Sequence, residues 1–465
     1  MIINNIYDKG NIISKTGEFG IESFIRGSNI IKEICNTNSL ILIIDDKSIQ
    51  STLALVSSVR ARINLILLDI ANFERQYKEI IDKFKPDLIL SSQNVFSKLG
   101  FDDLIKSDLF NIFIFNKSQK KSFQYCQYLP LVLLGTSGTS GPQKFVGLTQ
   151  NNLSTNCNSI KKYLSTNKNT KCINNLPCSY SYGLSVLNTT LSAGGQYFIS
   201  EEPSILRKSF WEDMNYFRIT DFSGVPSVYQ DIQKLNLIES MSSSIKRLTQ
   251  AGGKLSINIQ KYLLNWCQNK KVELFIMYGQ TEASARLTYL NLTSEPLKIG
   301  SVGRVIPDVK LIQNNVNPAR EFELIFKGGN VSLGYFQDRN QLDNAVDINK
   351  GILKTGDVAY IDDDDCIFIT GRNSRFAKID GKRLSLDQIE NSLKEIYADL
   401  AVVSNDQILC ILINQEDNCN FKDFKKHTKK VSGLHQSKIK ISNGIVPRSS
   451  NGKIQYQKIL QDYFS

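Results

Sequence analysis

Four short apolar runs in the first 130 residues, at 40–44, 63–69, 88–91 and 111–115, alternate with helix-like segments. That alternation constrains the fold more than any other feature of the chain. Between the first two runs, 48–60 sets Leu53, Val56 and Val59 at i, i+3 and i+6, a helical stripe. Strand–helix alternation predicts βαβ units and a parallel sheet. The pattern continues with an apolar run at 129–134, a helix over 149–164, and strands near Phe198 and Asp221. From 299 to 369 the chain becomes Gly-rich and turn-punctuated, which predicts a small antiparallel subdomain. Past Gly371, Ser385-Leu386-Asp387-Gln388 fits a capping box opening a helix to about residue 396, with strands around 401–403 and 407–412. The expected class is α/β. A large N-terminal domain, 1–371, carries mixed and parallel sheets with helices and a small β-rich subdomain at about 300–370. A small α+β domain, 372–465, follows.

Charge narrows the partners. The chain has 465 residues and a net charge of +11, with a sequence pI of about 9.0, which suits polyanions such as nucleotides, coenzyme A, acidic carrier proteins or nucleic acid. The excess is spread out, and no nucleic-acid motif accompanies it, so nucleic acid is not an expected partner. Nine cysteines without a C-x-x-C pair, and no secretory leader, point to reduced thiols in a cytoplasmic protein. No apolar stretch approaches the ~18 residues of a membrane span. Only two histidines exist, His427 and His435, which argues against a His-based triad or a multi-His zinc site.

Three segments carry chemistry on their own residues. Thr136-Ser137-Gly138-Thr139-Ser140-Gly141-Pro142-Gln143-Lys144 follows the run 129–134. Glycines let backbone N–H groups approach an anion, and the hydroxyls and Lys144 add donors, which makes a phosphate cradle. It is not G-x-x-x-x-G-K-[ST], since Lys144 does not follow a glycine. Met277-Tyr278-Gly279-Gln280-Thr281-Glu282 offers Tyr278 to a purine face and Glu282 to a hard cation such as Mg²⁺. Lys354-Thr355-Gly356-Asp357, at an expected turn, offers a carboxylate that can accept both hydrogen bonds of a ribose diol. Each segment alone is more often a surface linker or an ordinary turn. Two more, 371–383 and 447–453, fit the same reaction, and the five together tip the reading toward function.

With these five ordered segments the chain resembles the acyl-adenylate-forming superfamily: acyl-CoA and aryl-CoA synthetases, firefly luciferase and the adenylation domains of peptide synthetases. The resemblance spans from about residue 40 to Ile454. It implies that a carboxylate attacks the α-phosphorus of ATP to give acyl-AMP and pyrophosphate. A thiol of coenzyme A or of a phosphopantetheine arm then displaces AMP. By similarity, Thr136, Ser137, Gly138, Thr139, Ser140 and Lys144 hold the β,γ-phosphates. Thr281 contacts the α-phosphate, and Glu282 is the Mg²⁺ ligand. Tyr278 and Gly252-Gly253-Lys254 sandwich the adenine, and Asp357 and Arg372 bind the ribose. Lys453 bridges the carboxylate and the α-phosphate. The small C-terminal domain is implied to be mobile about a hinge at Ser374, where the family usually has Asp or Lys. In the phosphate loop, Gln143 stands where a Pro is usual. The acyl pocket falls on 176–183, including Tyr180, Ser181 and Gly183, and on 222–226, including Gly224 and Val225. Neither an acid nor a His occupies positions 180–181, which disfavours an α-amino acid. The implied partners are a small carboxylic acid and coenzyme A. The alternatives are an acyl carrier protein as acceptor, and a non-catalytic nucleotide-binding homologue.

Overall fold

The structure, a computed structural model, describes residues 6–35, 39–92, 103–107, 109–114, 129–135, 144–312, 321–394, 397, 399–405, 407–414, 421–448 and 454–464. The chain divides into two compact units. The first comprises Met1–Thr136, Gln143–Leu311 and Phe326–Leu353, and the second Ser137–Pro142, Ile312–Ile325 and Lys354–Ser465.

In the first unit the run 40–44 becomes the strand Leu40–Asp45, buried along its whole length. It pairs in parallel with Asn64–Asp69 and Leu88–Ser91 inside an eight-stranded sheet. A strand with no polar face needs cover on both sides. Ile41 and Ile43 share one core with Leu53, Val56 and Val59 of the helix Ile49–Ala61, while Leu40, Leu42 and Ile44 pack with Ile80, Ile81 and Phe84 of the helix Ile70–Phe84. The helix Ile49–Ala61 is itself buried on nearly every face. Its hydroxyls therefore bond back to helix carbonyls, Thr52 to Ser48 O and Ser58 to Ala54 O, both at 2.8 Å.

The same core reaches a second, nine-stranded sheet through Cys172, Tyr197 and Ile199. There Lys171–Ile173, Gln196–Phe198, Asp221–Gly224, Arg247–Gln250 and Glu273–Tyr278 run parallel, and the antiparallel strands Thr288–Asn291 and Arg304–Val305 close one edge. The helix Gln150–Leu164 begins at a complete capping box between Thr149 and Asn152. The Asn152 amide also donates to Gly329 O and Val331 O, at 2.8 and 2.7 Å.

The stretch 300–370 departs from the expected single antiparallel piece. Its strands are antiparallel, but Arg304–Val305 edges the nine-stranded sheet and Gly334–Phe336 joins the eight-stranded sheet beside Phe145–Leu148. The residues 354–357 form no turn either. They lie inside the ten-residue strand Ile352–Ile361, kinked at Gly356, whose φ is +73°.

In the second unit, the hairpin Phe376–Ile379/Lys382–Ser385 turns through Asp380 and Gly381, both at positive φ, as a two-residue loop requires. The helix Leu386–Lys394 follows, with Ser385 Oγ accepting from Gln388 N at 3.3 Å. The Gln388 amide nitrogen donates to Glu321 Oε1 at 3.2 Å. The strands Leu400–Ser404, Leu409–Ile413 and Ile439–Asn443 form a three-stranded sheet that packs with Ile389, Leu393 and Phe424. No helix among the described residues is long and apolar enough to cross a membrane.

Candidate active site

In an open α/β sheet, ligands collect beyond the carboxyl ends of parallel strands. Four such ends in the nine-stranded sheet carry expected site residues. The strand Lys171–Ile173 leads into the segment 176–180, Asp221–Gly224 into Val225, Arg247–Gln250 into Gly252 and Gly253, and Glu273–Tyr278 into Thr281 and Glu282. Buried polar groups fix these loops. Asp45 accepts from Ser179 N at 2.6 Å. Burial pushes the Asp45 carboxyl up, against the N–H groups of Ser179 and Lys47 that hold it down. The buried Gln250 amide donates to Gly253 O at 2.8 Å and closes the glycine turn.

Segments expected to hold the acyl group and the nucleotide meet here. The hydroxyls of Ser181 and Thr281 stand 3.2 Å apart. Tyr180 lies over Gly252, so a Cβ added there would sit 2.2 Å from the Tyr180 hydroxyl and 3.2 Å from Val225 Cγ1. Gly183 lets the helix Ser181–Ser192 seat on Pro177 O, which a Cβ would meet at 2.1 Å. Gly224 gives the same clearance to the Tyr229 ring. Tyr182 is core, 1% exposed, and its hydroxyl is bonded to Thr249 O and Oγ1. Burial pushes the Tyr180 hydroxyl up to about 12.

Gly252 is confined twice, by Tyr180 and by its own φ of +86°. Gly252→Ala is therefore expected to destabilise the fold by about 1–3 kcal/mol and to displace Tyr180. In Gly253→Ala a Cβ would meet only Pro226, at 3.2 Å, so that variant should unfold with the wild type. Thermal unfolding of the pair checks this, and equal midpoints would show that the Tyr180–Gly252 contact is loose.

Lys144 and Glu282 are joined through a residue the sequence reading did not single out. The Tyr335 hydroxyl donates to Glu282 Oε1 at 2.5 Å, and Lys144 Nζ stands 5.9 Å from the centre of the Tyr335 ring. The pairing of Gly334–Phe336 with Phe145–Leu148 puts Tyr335 beside Lys144. Ser332 N, donating to Glu282 O at 2.8 Å, ties the same segment to Glu282 from the other side. Glu282 belongs to no larger cluster: among the described residues no group of three or more His, Cys, Asp or Glu side chains could hold a metal. That donor set fits a Mg²⁺ carried in on a triphosphate, because Mg²⁺ keeps its waters and takes one or two carboxylates beside substrate phosphates.

Arg286 was also missed. It is 2% exposed, and its guanidinium lies 4.2 Å from the centre of the Tyr182 ring. Its sequence signal is that no other charge occurs between Glu282 and Glu295.

Gly253 and Lys254 are exposed, and Tyr278 is half-buried at the end of its strand. In the second unit, Arg372 Nε donates to Asp357 Oδ1 at 2.7 Å across the register pair Asp357↔Arg372. Ser374 is exposed within the one-turn helix Asn373–Arg375. Next to it, buried Arg375 is bonded to Asp387 and Glu390, both at 2.8 Å, and stacks on Tyr456. Thr136, Ser137, Gly138, Thr139, Ser140 and Lys453 lie outside the described residues.

The sequence profile of the AMP-binding enzyme family matches residues 35–336. A 2-succinylbenzoate–CoA ligase of Staphylococcus epidermidis is 26% identical over 344 residues, covering 70% of this chain and 69% of that protein. A D-alanine–D-alanyl carrier protein ligase of Staphylococcus haemolyticus is 23% identical over 433 residues, covering 88% and 86%. Among solved structures, the o-succinylbenzoate coenzyme A synthetase of Bacillus subtilis in complex with AMP superposes with a TM-score of 0.75 at 17% identity, over 98% of this chain and 96% of that one.

Proposed function

Because this chain belongs to the AMP-binding enzyme family, we propose that it is an AMP-forming acid–thiol ligase acting on a carboxylic acid, ATP and coenzyme A. In the first step a carboxylate oxygen bonds to the α-phosphorus, and the bond from that phosphorus to pyrophosphate breaks. In the second the thiolate sulfur bonds to the acyl carbon, and the acyl–oxygen bond to AMP breaks. The observation that carries the reading is Tyr335, which contacts the cation of the phosphate-loop Lys144 and the carboxylate of Glu282 on one side chain. A triphosphate with its metal needs a cation and a metal-binding carboxylate close together. Glu282 is the proposed Mg²⁺ ligand, and the ion neutralises charge that would repel an attacking carboxylate.

The remaining roles are part of the same proposal. Thr281 steadies the α-phosphate, Tyr278 and Gly252–Lys254 hold the adenine, Asp357 with Arg372 takes the ribose hydroxyls, and Lys453 serves the first step. Residues 372–465 form the mobile domain, with Ser374 as hinge. Loading of a carrier protein is the second reading, favoured by the extent of the match to the D-alanyl carrier protein ligase. Against an amino-acid substrate stands the absence of an acid at Tyr180 and Ser181, since a buried ammonium needs a counter-charge.

The test is ATP–pyrophosphate exchange over a panel of acids, followed by AMP release on adding coenzyme A or a phosphopantetheinylated carrier. Acid-dependent exchange with coenzyme A-dependent release is expected. Nucleotide binding without exchange for any acid would overturn the proposal.

A further inference from the structure

Three arginines are buried among the described residues, and one of them is unlike the others. Arg247 contacts two carboxylates, Asp221 and Glu273, and Arg375 likewise holds Asp387 and Glu390. Arg286 is the most buried of the three, and no carboxylate among the described residues pairs with it. One of its terminal nitrogens donates to the Ala285 carbonyl at 3.0 Å, and its Nε has no hydrogen-bond partner.

A guanidinium carries five N–H donors and stays charged at any working pH, so burying it without a counter-charge is costly. The Tyr182 ring covers its face, and a cation–π contact leaves the N–H edge unsatisfied. The neighbouring groups that reach it are neutral hydroxyls, Tyr163 among them, and none supplies a counter-charge. Tyr182 bonds to Thr249, while Tyr163 donates to Met277 Sδ at 3.2 Å and offers its oxygen to the guanidinium. Burial pushes the Tyr182 hydroxyl up and the Arg286 charge opposes it, so the cation acts on this cluster.

Its position relates it to the acyl group. Ser181 meets the Thr281 hydroxyl, and the next residue on the same helix, Tyr182, carries Arg286. Tyr182, whose ring covers the cation, packs in one cluster with Tyr180 and Val225 of the expected acyl pocket. Its backbone is fixed, since the Arg286 carbonyl accepts from the buried Asn330 amide at 2.9 Å.

We propose that Arg286 determines acid specificity by binding a second carboxylate at the far end of the substrate, so that the acid activated here is a dicarboxylic acid. The proposal rests on reading the site as an adenylating one. A planar fork of N–H donors matches a carboxylate two bonds at a time, and a buried pair of that kind discriminates strongly against an uncharged isostere.

The test uses non-reacting mimics of the acyl-adenylate, so that binding is read without turnover. The probes are 5′-O-(N-acylsulfamoyl)adenosines with three- to six-carbon diacid chains, plus one benzenedicarboxyl member. Each is paired with its distal carboxamide and titrated by calorimetry beside AMP. At least one carboxylate should bind about 100-fold tighter than its amide partner. Arg286→Met should lose that preference while still binding AMP. Equal binding within every pair, with AMP bound, overturns the proposal alone. A preference that survives in Arg286→Met overturns the assignment to this residue. Failure of AMP itself to bind overturns the adenylation reading and this proposal together.

Discussion

Lys453→Ala is expected to lose acyl-AMP formation by about 10²–10³-fold in kcat while keeping most transfer from supplied acyl-AMP to the thiol. The first step brings a carboxylate against a triphosphate, both negative. A compact ammonium on a flexible stem can share its donors between a carboxylate oxygen and an α-phosphate oxygen, which lowers the repulsion as charge develops. The second step has no such encounter, because pyrophosphate has left. If the domain that carries Lys453 turns away between the steps, its removal leaves thiolation untouched. Rapid quench reads the first half-reaction, and coenzyme A capture of synthetic acyl-AMP reads the second. Equal losses in both would refute the role.

The fold was legible where the chemistry of a strand is local. The run 40–44 is apolar on both faces, so a buried parallel strand was the economical reading, and Leu40–Asp45 agrees. The helix Ile49–Ala61 follows the stripe Leu53, Val56 and Val59. The stretch 300–370 was less legible because its strands are two to ten residues long and their partners are distant. Gly334–Phe336 pairs with Phe145–Leu148, almost two hundred residues earlier, and nothing in the segment's own sequence specifies that edge. The site followed the same rule. Thr281 and Glu282 stood in a recognisable string. Tyr335 did not, since an aromatic within a short strand reads as a strand former and its partner Glu282 is 53 residues away. Arg286 was visible as an isolated charge, but its missing counter-charge is a property of the folded chain alone. Gln388 shows the limit of a motif: Ser385 Oγ accepts from Gln388 N as the box spells, but the contact of the Gln388 amide with Glu321 is nothing the local sequence specifies.

Asp357→Ala is expected to weaken AMP binding by roughly 10²–10⁴-fold, since two charge-assisted hydrogen bonds are lost at about 1.5–3 kcal/mol each. The structure separates this loss from damage to the backbone. The kink that presents Asp357 is held by other groups. Thr355 Oγ1 donates to Leu324 O at 2.9 Å and accepts from Asp357 N at 3.0 Å, Gly356 N donates to Glu323 Oε1 at 3.2 Å, and Gly356 supplies the positive φ. None of these uses the Asp357 carboxylate. The carboxylate does pair with Arg372, a side chain 61% exposed, and a pair open to solvent on one side adds little to stability. The variant should therefore unfold close to the wild type while its nucleotide affinity falls. Asp357→Asn separates charge from shape. One amide oxygen can still accept from a ribose hydroxyl, so its loss should fall between the wild type and the Ala variant. Calorimetry with AMP on all three proteins decides the matter. Unchanged affinity in Asp357→Ala would make the Asp357–Arg372 pair a cross-strand contact only. A parallel fall in affinity and unfolding midpoint would show that the carboxylate holds the kink after all.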